Sequence, residues 1–267
     1  MTGSSTDLPP SLAIERREDV AVLTLNRVEK RNALDGPTVR ALGQFFTSTP
    51  DWAKVVVLAA AGNHFSAGLD LSELLDRDAV GGLHHSRSWH EVFALIEFGT
   101  VPVVAVLKGA VIGVGLELAA CAHVRIAEDS AFFAFPEGQR GLFVGGGASV
   151  RVSRLIGTHR MVDMMLTGRV LDADEGAAAG LAHYRVADGA GLDKAHALAA
   201  TIAQNSPVTN YAVIHALPRI AEAPAETGLL LESLMAAVSQ SSSEAKERMS
   251  AFLAGRAAKV EAPREER

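Results

Sequence analysis

The stretch KGAVIGVGLELAACAHVRIA (108–127) decides the architecture. Before it stands VPVVAVL (101–107), an apolar β-branched run of strand length, with Pro102 near its start where a missing donor costs least. AVIGVG (110–115) reads as a glycine-bearing turn, and LELAACAHV (116–124) as a helix. VRIAEDSAFFAFPE (124–137) then reads as two short strands around an Asp-Ser turn. Strand, glycine turn, helix and strand in that order argue an α/β fold with largely parallel pairing.

The same order appears on the N-terminal side. VAVLTLN (20–26) is a β-type run, and Val39, Leu42 and Phe46 recur at helical spacing after it. KVVVLAAAG (54–62) is a buried strand ending at glycine, followed by NHFSAGLDLSEL (63–74). Trp89, Val92, Phe93 and Ile96 mark one face of a helix over 87–98. On the C-terminal side, GLFVGGGAS (141–149) opens a helix through SVRVSRLIG. From residue 158 onward mostly helical segments follow. Asp172 with Glu175 has the form of a capping box, and Gly180 suits a helix stop. The domain reading is a disordered N-terminus (1–11), an α/β core (12–190), a helical C-terminal region (191–260) and a loose charged tail (261–267).

Composition narrows the class. The chain has 267 residues, 48% of them apolar and 21% charged, enough to bury a sizeable core. Its 25 basic and 31 acidic residues give a net charge of −6, without the basic surplus of a nucleic-acid binder. No run reaches the ~18 apolar residues of a membrane span, and MTGSSTDLPPS lacks the pattern of a signal peptide. The expectation is a cytosolic, cytoplasmic protein bound to neither membrane nor nucleic acid. Cys121 is the single cysteine and sits in an apolar run, which favours a buried inert thiol over a nucleophile. No Cys/His cluster has zinc spacing, so no metal site is expected.

Two strand-to-helix junctions are the candidates for chemistry: FSAGLD (65–70) and GAVIGVGLE (109–117). Glycine lets a ligand approach the main chain closely. Two N–H donors aimed at one point would form an oxyanion hole; tight glycine turns are the plainer alternative. The second junction is not a dinucleotide fingerprint, because Leu118 stands where a small residue is needed, nor a P-loop, because Lys108 precedes the glycines. Glu117 and Glu137 both lie in apolar sequence. Burial would raise their pKa values and fit them for acid/base work. A solvated first-turn carboxylate and an exposed turn residue are the alternatives.

Taken together these segments carry a resemblance. FSAGLDLSEL resembles the A-G-x-D segment of the crotonase (enoyl-CoA hydratase/isomerase) superfamily. KGAVIGVGLELAACAHVRIA resembles its N-G-x-x-x-G-G-G-x-E-L-A segment, and FAFPEGQRGLFVGGGASVRVSRLIG (133–157) its P-E and glycine-rich segment. MMLTGRVLDADEGAAAGLAHYRV (164–186) resembles the helical stretch that follows, and AFLAGR (251–256) gives a weaker match.

The resemblance implies a crotonase-like spiral of ββα units with a helical C-terminal region, through which members form homotrimers or dimers of trimers. It implies an acyl-CoA thioester substrate and no cofactor beyond the coenzyme A that the substrate carries. The backbone amides of Leu69 and Val114 fall on the family's oxyanion donors, and Glu117 and Glu137 on its two acid/base glutamates. Lys30, Arg31, Ala33, Ala67, Gly68, Asp70, Gly113 and Pro136 fall on segments that hold substrate and CoA. Because one-carboxylate isomerases of the family usually lose the position of Glu117, keeping both glutamates leans toward hydration of a 2-enoyl-CoA. Isomerisation, hydrolysis, lyase chemistry and non-catalytic CoA-thioester binding are the alternatives. Ser72 stands where many members carry a CoA-binding lysine, which shifts phosphate recognition to Lys30, Arg31 or a C-terminal residue such as Lys259.

Overall fold

A computed structural model describes residues 8–73 and 77–256. Lys259, the 261–267 tail and most of the 1–11 segment lie outside the described residues. A six-stranded sheet runs in the order β1 (Leu12–Arg17), β2 (Val20–Leu25), β3 (Val55–Ala60), β4 (Val103–Leu107), β6 (Val124–Glu128) and β8 (Tyr184–Val186). β1 and β2 form an antiparallel hairpin, and every other pair is parallel.

Alternation along the central strands explains why they read as unbroken apolar runs, since both faces are buried. Val20, Val22, Val55, Val57, Val104 and Val106 face one core, where Ala195 and Ala199 of α7 (Gly191–Ala203) pack on them. Ala21, Leu23, Val56, Leu58, Val103 and Ala105 face the other. That second core also takes Val39, Leu42 and Phe46 of α1 (Gly36–Thr47) and Trp89, Phe93 and Ile96 of α2 (Ala79–Glu97). Each fully buried valine, leucine, isoleucine or phenylalanine among them contributes about 1.5–3 kcal/mol.

A second, smaller layer builds the site. β5 (Ala110–Ile112) pairs in parallel with β7 (Phe132–Ala134). Single bridges extend it, Ser66 to Val111 on one side and Phe133 to Leu171 on the other, while Leu34 bridges Leu69. The turn expected over 110–115 is therefore half strand: only Gly113 bends, at φ +52°, and α3 (Val114–Ala119) starts directly after it. The helix expected over 116–124 begins earlier and ends at Ala119, because β6 opens at Val124. The strands expected around the Asp-Ser turn are present, but β6 and β7 belong to different sheets.

After β7, α4 (Ala148–Ile156), α5 (Thr158–Thr167) and α6 (Ala173–Ala179) follow. α6 carries the expected capping box between Asp172 and Glu175 and stops at Gly180 in the left-handed region. The described residues divide into two compact units after Gln204. The division falls later than residue 190 because α7 packs on β3, β4 and β6. The second unit holds α8 (Pro207–Tyr211), a π-turn (Ala212–Ala216), α9 (Leu217–Glu222), α10 (Ala225–Ser241) and α11 (Ser243–Leu253). No helix among the described residues is long and apolar enough to cross a membrane.

Candidate active site

The site starts at a loop locked by one asparagine. Arg31 and Asn32 both adopt the left-handed region, at φ +50° and +56°, which asparagine tolerates better than most residues. Asn32 is 2% exposed: its Oδ1 accepts from Arg27 N–H (2.8 Å), and its Nδ2 donates to the carbonyls of Ala61 (2.9 Å) and His64 (2.8 Å). So held, the loop lies along FSAGLD. Ala67 N–H donates to Arg31 O, Leu34 N–H to Gly68 O, and Asp70 N–H to Leu34 O.

The two segments expected to hold CoA are thus brought together. Lys30 and Arg31 are exposed at their edge, and Ala33 is half-buried. Asp70 is committed to the protein: its carboxylate pairs with Arg27 (2.8 Å) and accepts from Ser72 Oγ (2.8 Å). Both contacts hold the Asp70 carboxyl below the usual aspartate range, the Ser72 hydroxyl most strongly.

In the bridge pattern Gly68 O and Asp70 N–H face Leu34, which turns Leu69 N–H the opposite way. Among the described residues neither Leu69 N–H nor Val114 N–H has an acceptor. Both residues line a cavity of about 310 Å³ together with Ala67, Gly68, Glu117 and Glu137. Gly113 sits behind this wall, and Pro136 precedes Glu137 on the chain; neither lines the cavity itself. A Cβ on Gly113 would collide with the Glu137 carboxylate, so glycine is required there twice over, for its φ and for its space.

Glu117 is 1% exposed on α3. Its Oε2 accepts from Ala148 N–H at 3.1 Å, and backbone donors of Gly145 and Gly146 also favour its charged form. Burial outweighs them and pushes its pKa up to about 7, with the Glu137 charge adding to the rise. Glu137 is half-buried, and its Oε2 has no hydrogen-bond partner. Burial raises its pKa as well, against a smaller pull from Arg140. Cys121 is buried and inert, its thiol pushed up to about 12 by burial.

Sequence reasoning missed much of the remaining wall. His85, Ser86 and Trp89 of α2 line the cavity, as do Arg140, Leu142 and Phe143 after Glu137. Trp89 was legible only as an apolar helix face, and the same face serves both core and cavity. Phe143, 72% exposed beside glycines, carried no periodic signal.

A parallel α/β layer that brings two unpaired amides, one buried carboxylate and one half-buried carboxylate to one cavity defines the class of the crotonase folds. The enoyl-CoA hydratase/isomerase family matches residues 15–262, and the chain belongs to it. It is 30% identical to the short-chain-enoyl-CoA hydratase of Clostridium acetobutylicum over 246 residues, covering 91% of this chain and 94% of that protein. It is also 30% identical to the 2,3-dehydroadipyl-CoA hydratase of Escherichia coli, over 91% and 95%. Among solved structures, a Rhodopseudomonas palustris protein described as a candidate enoyl-CoA hydratase superposes with a TM-score of 0.91 at 55% identity, over 94% and 98% of the two chains.

Proposed function

We propose that the protein is an enoyl-CoA hydratase that adds water across the 2,3 double bond of a 2-enoyl-CoA. The observation that carries this reading is that Glu117 and Glu137 face one cavity beside the Leu69 and Val114 amides. The thioester oxygen accepts from these two N–H groups, which strengthen as negative charge builds on it. Ionised Glu117 takes a proton from water as the oxygen bonds to C3. The π electrons of the double bond move toward C2 and the carbonyl, and protonated Glu137 delivers its proton to C2. Hydration thereby moves one proton from Glu137 to Glu117 by way of water and product, and no redox partner is needed. The hydratase names of the relatives support the same reading, as does a cavity able to hold two carboxylates with one proton between them.

We further propose that Lys30 and Arg31 take the CoA phosphates and that the second compact unit joins copies of the chain into a homotrimer or a dimer of trimers. Incubation with crotonyl-CoA and, separately, a 3-enoyl-CoA tests the reaction. Mass analysis is expected to show gain of one water by crotonyl-CoA. A shifted double bond with no water gained, or release of free CoA, would refute the hydratase reading.

A further inference from the structure

Behind Glu117 lies a loop of three consecutive glycines, Gly145–Gly147, which Ala148 ends as the first residue of α4. Gly146 is buried, and a Cβ there would come within 2.6 Å of Glu117 Oε2 and 3.0 Å of Phe93. Gly147 holds φ +108°, and a Cβ there would run into the guanidinium of Arg151. Three glycines have little conformational preference of their own. Yet this loop delivers the Ala148 N–H to the Glu117 carboxylate and packs Gly146 directly against it.

Side chains from two helices fasten the loop. Arg151 of α4 donates from Nη1 to Gly146 O at 3.1 Å, and its Nε pairs with Glu97 of α2 at 2.5 Å. Ser86 of α2 donates to Gly145 O at 2.6 Å. The Arg151 and Glu97 side chains are 12% and 22% exposed, well shielded for an ion pair. An ion pair so shielded is weak evidence for stability, because desolvation offsets the attraction. Its geometry fits a different role.

We propose that Arg151, anchored by Glu97, is a positioning residue for Glu117: it fixes the Gly145–Gly147 loop so that the Ala148 amide holds the carboxylate in its working orientation. The inference rests on the hydratase reading for its kinetic consequence but not for its geometry. Arg151 touches neither the cavity nor the Glu117 side chain, so it acts through the loop. The titratable and charged groups around Glu117 are Glu137 across the cavity, Cys121 four residues on and past the end of α3, and Arg151 with Glu97 behind the loop. His90 of α2 also meets the loop backbone at Gly145. The loop amides favour the ionised form of Glu117. Loosening the loop therefore moves its proton affinity upward, and loss of the Arg151 charge acts in the same direction.

The test compares Arg151→Met, Glu97→Gln and wild type. Loss of the tether is expected to lower kcat by about tenfold to a hundredfold, the scale of an ångström-sized misplacement, with KM within about twofold. The pH profile is expected to move to higher pH. A readout free of catalysis comes from Tm against pH for Glu117 and Glu117→Gln, each with and without Arg151→Met. The loss of stability starts at the unfolded-state pKa in every variant, but the pH at which it levels off, set by the folded pKa of Glu117, should rise in the Arg151→Met background. A folded Arg151→Met protein with unchanged kcat and an unchanged pH at which that loss levels off would overturn the proposal. Should Arg151→Met not fold, Glu97→Gln carries the same comparison, with the same result overturning it. Failure of the hydratase reading looks different: Glu117→Gln would then keep wild-type activity while the pH at which the stability loss levels off still responds to Arg151.

Discussion

Burial leaves Glu117 holding a proton at a pH where an ordinary glutamate has lost it, and two measurable effects follow. The first is catalytic. Glu117→Gln and Glu137→Gln are each expected to lower kcat by about a hundredfold or more with little change in CoA binding, the size of a lost general acid or base. On the proposed mechanism the working state has one proton on the pair, so kcat/KM should follow a bell whose limbs both lie above the ordinary carboxylate range and belong to the pair jointly. The second effect is on stability. The folded pKa of Glu117 is raised to about 7 from 4.5, so the folded state binds the extra proton. Stability is fully present below pH 4.5 and falls as pH rises through about 7. Glu117→Gln should thus be more stable than wild type at pH 8, by on the order of 3 kcal/mol, and nearly equal at pH 4. Urea titrations at the two pH values measure the difference; equal stability at pH 8 would mean that Glu117 is not buried as described. Both glutamates were legible in the sequence because an acidic residue inside an apolar run is unusual. His85 and Trp89 were not, since helical spacing marks a buried face without saying whether it meets core or cavity.

At the scale of elements, the two junctions do more than turn the chain. β5 and the bridges at Ser66 and Leu69 align two backbone segments so that their free amides share a cavity. Val114 is the first residue of α3, where proline is tolerated but removes the N–H. Val114→Pro is therefore expected to fold, bind CoA and lose about 10² to 10³ in kcat. Circular dichroism and a CoA-binding assay verify the first two points, and full activity in a folded, CoA-binding variant would remove Val114 as a donor. The Lys30–Arg31 edge runs beside FSAGLD, outside the lining of the cavity. Lys30→Glu or Arg31→Glu should raise KM for acyl-CoA more than it lowers kcat, since remote phosphate contacts act as uniform binding. Steady-state kinetics decides this, and an unchanged KM in both variants would place the nucleotide elsewhere. The central strands were readable because both their faces are buried. β1 was not, as five of its six residues are exposed. β5 was hidden because three apolar residues before a glycine look the same in a turn.

For the whole molecule, the sequence reading divides an α/β core from a helical C-terminal region at residue 190, whereas the compact units of the structure divide after Gln204. α7 has the composition of the later helices, and only its packing on the sheet assigns it to the core. In the second unit, Leu229, Leu230, Leu234 and Val238 of α10 are 49–63% exposed, an apolar surface of the kind that marks an interface. Analytical ultracentrifugation is expected to give a trimer or hexamer for wild type and smaller species for Leu230→Glu with Leu234→Glu. A wild-type monomer at micromolar concentration would contradict the assembly.

In the proposed reaction Glu117 and Glu137 add solvent oxygen to C3 of an enoyl thioester. Turning over crotonyl-CoA in heavy-oxygen water and locating the label by mass spectrometry reads this step. Label is expected in the acyl group of an intact 3-hydroxyacyl-CoA with wild-type protein, and loss of that product with either Gln variant. Label in a free carboxylic acid, or undiminished labelled product from both Gln variants, would contradict it.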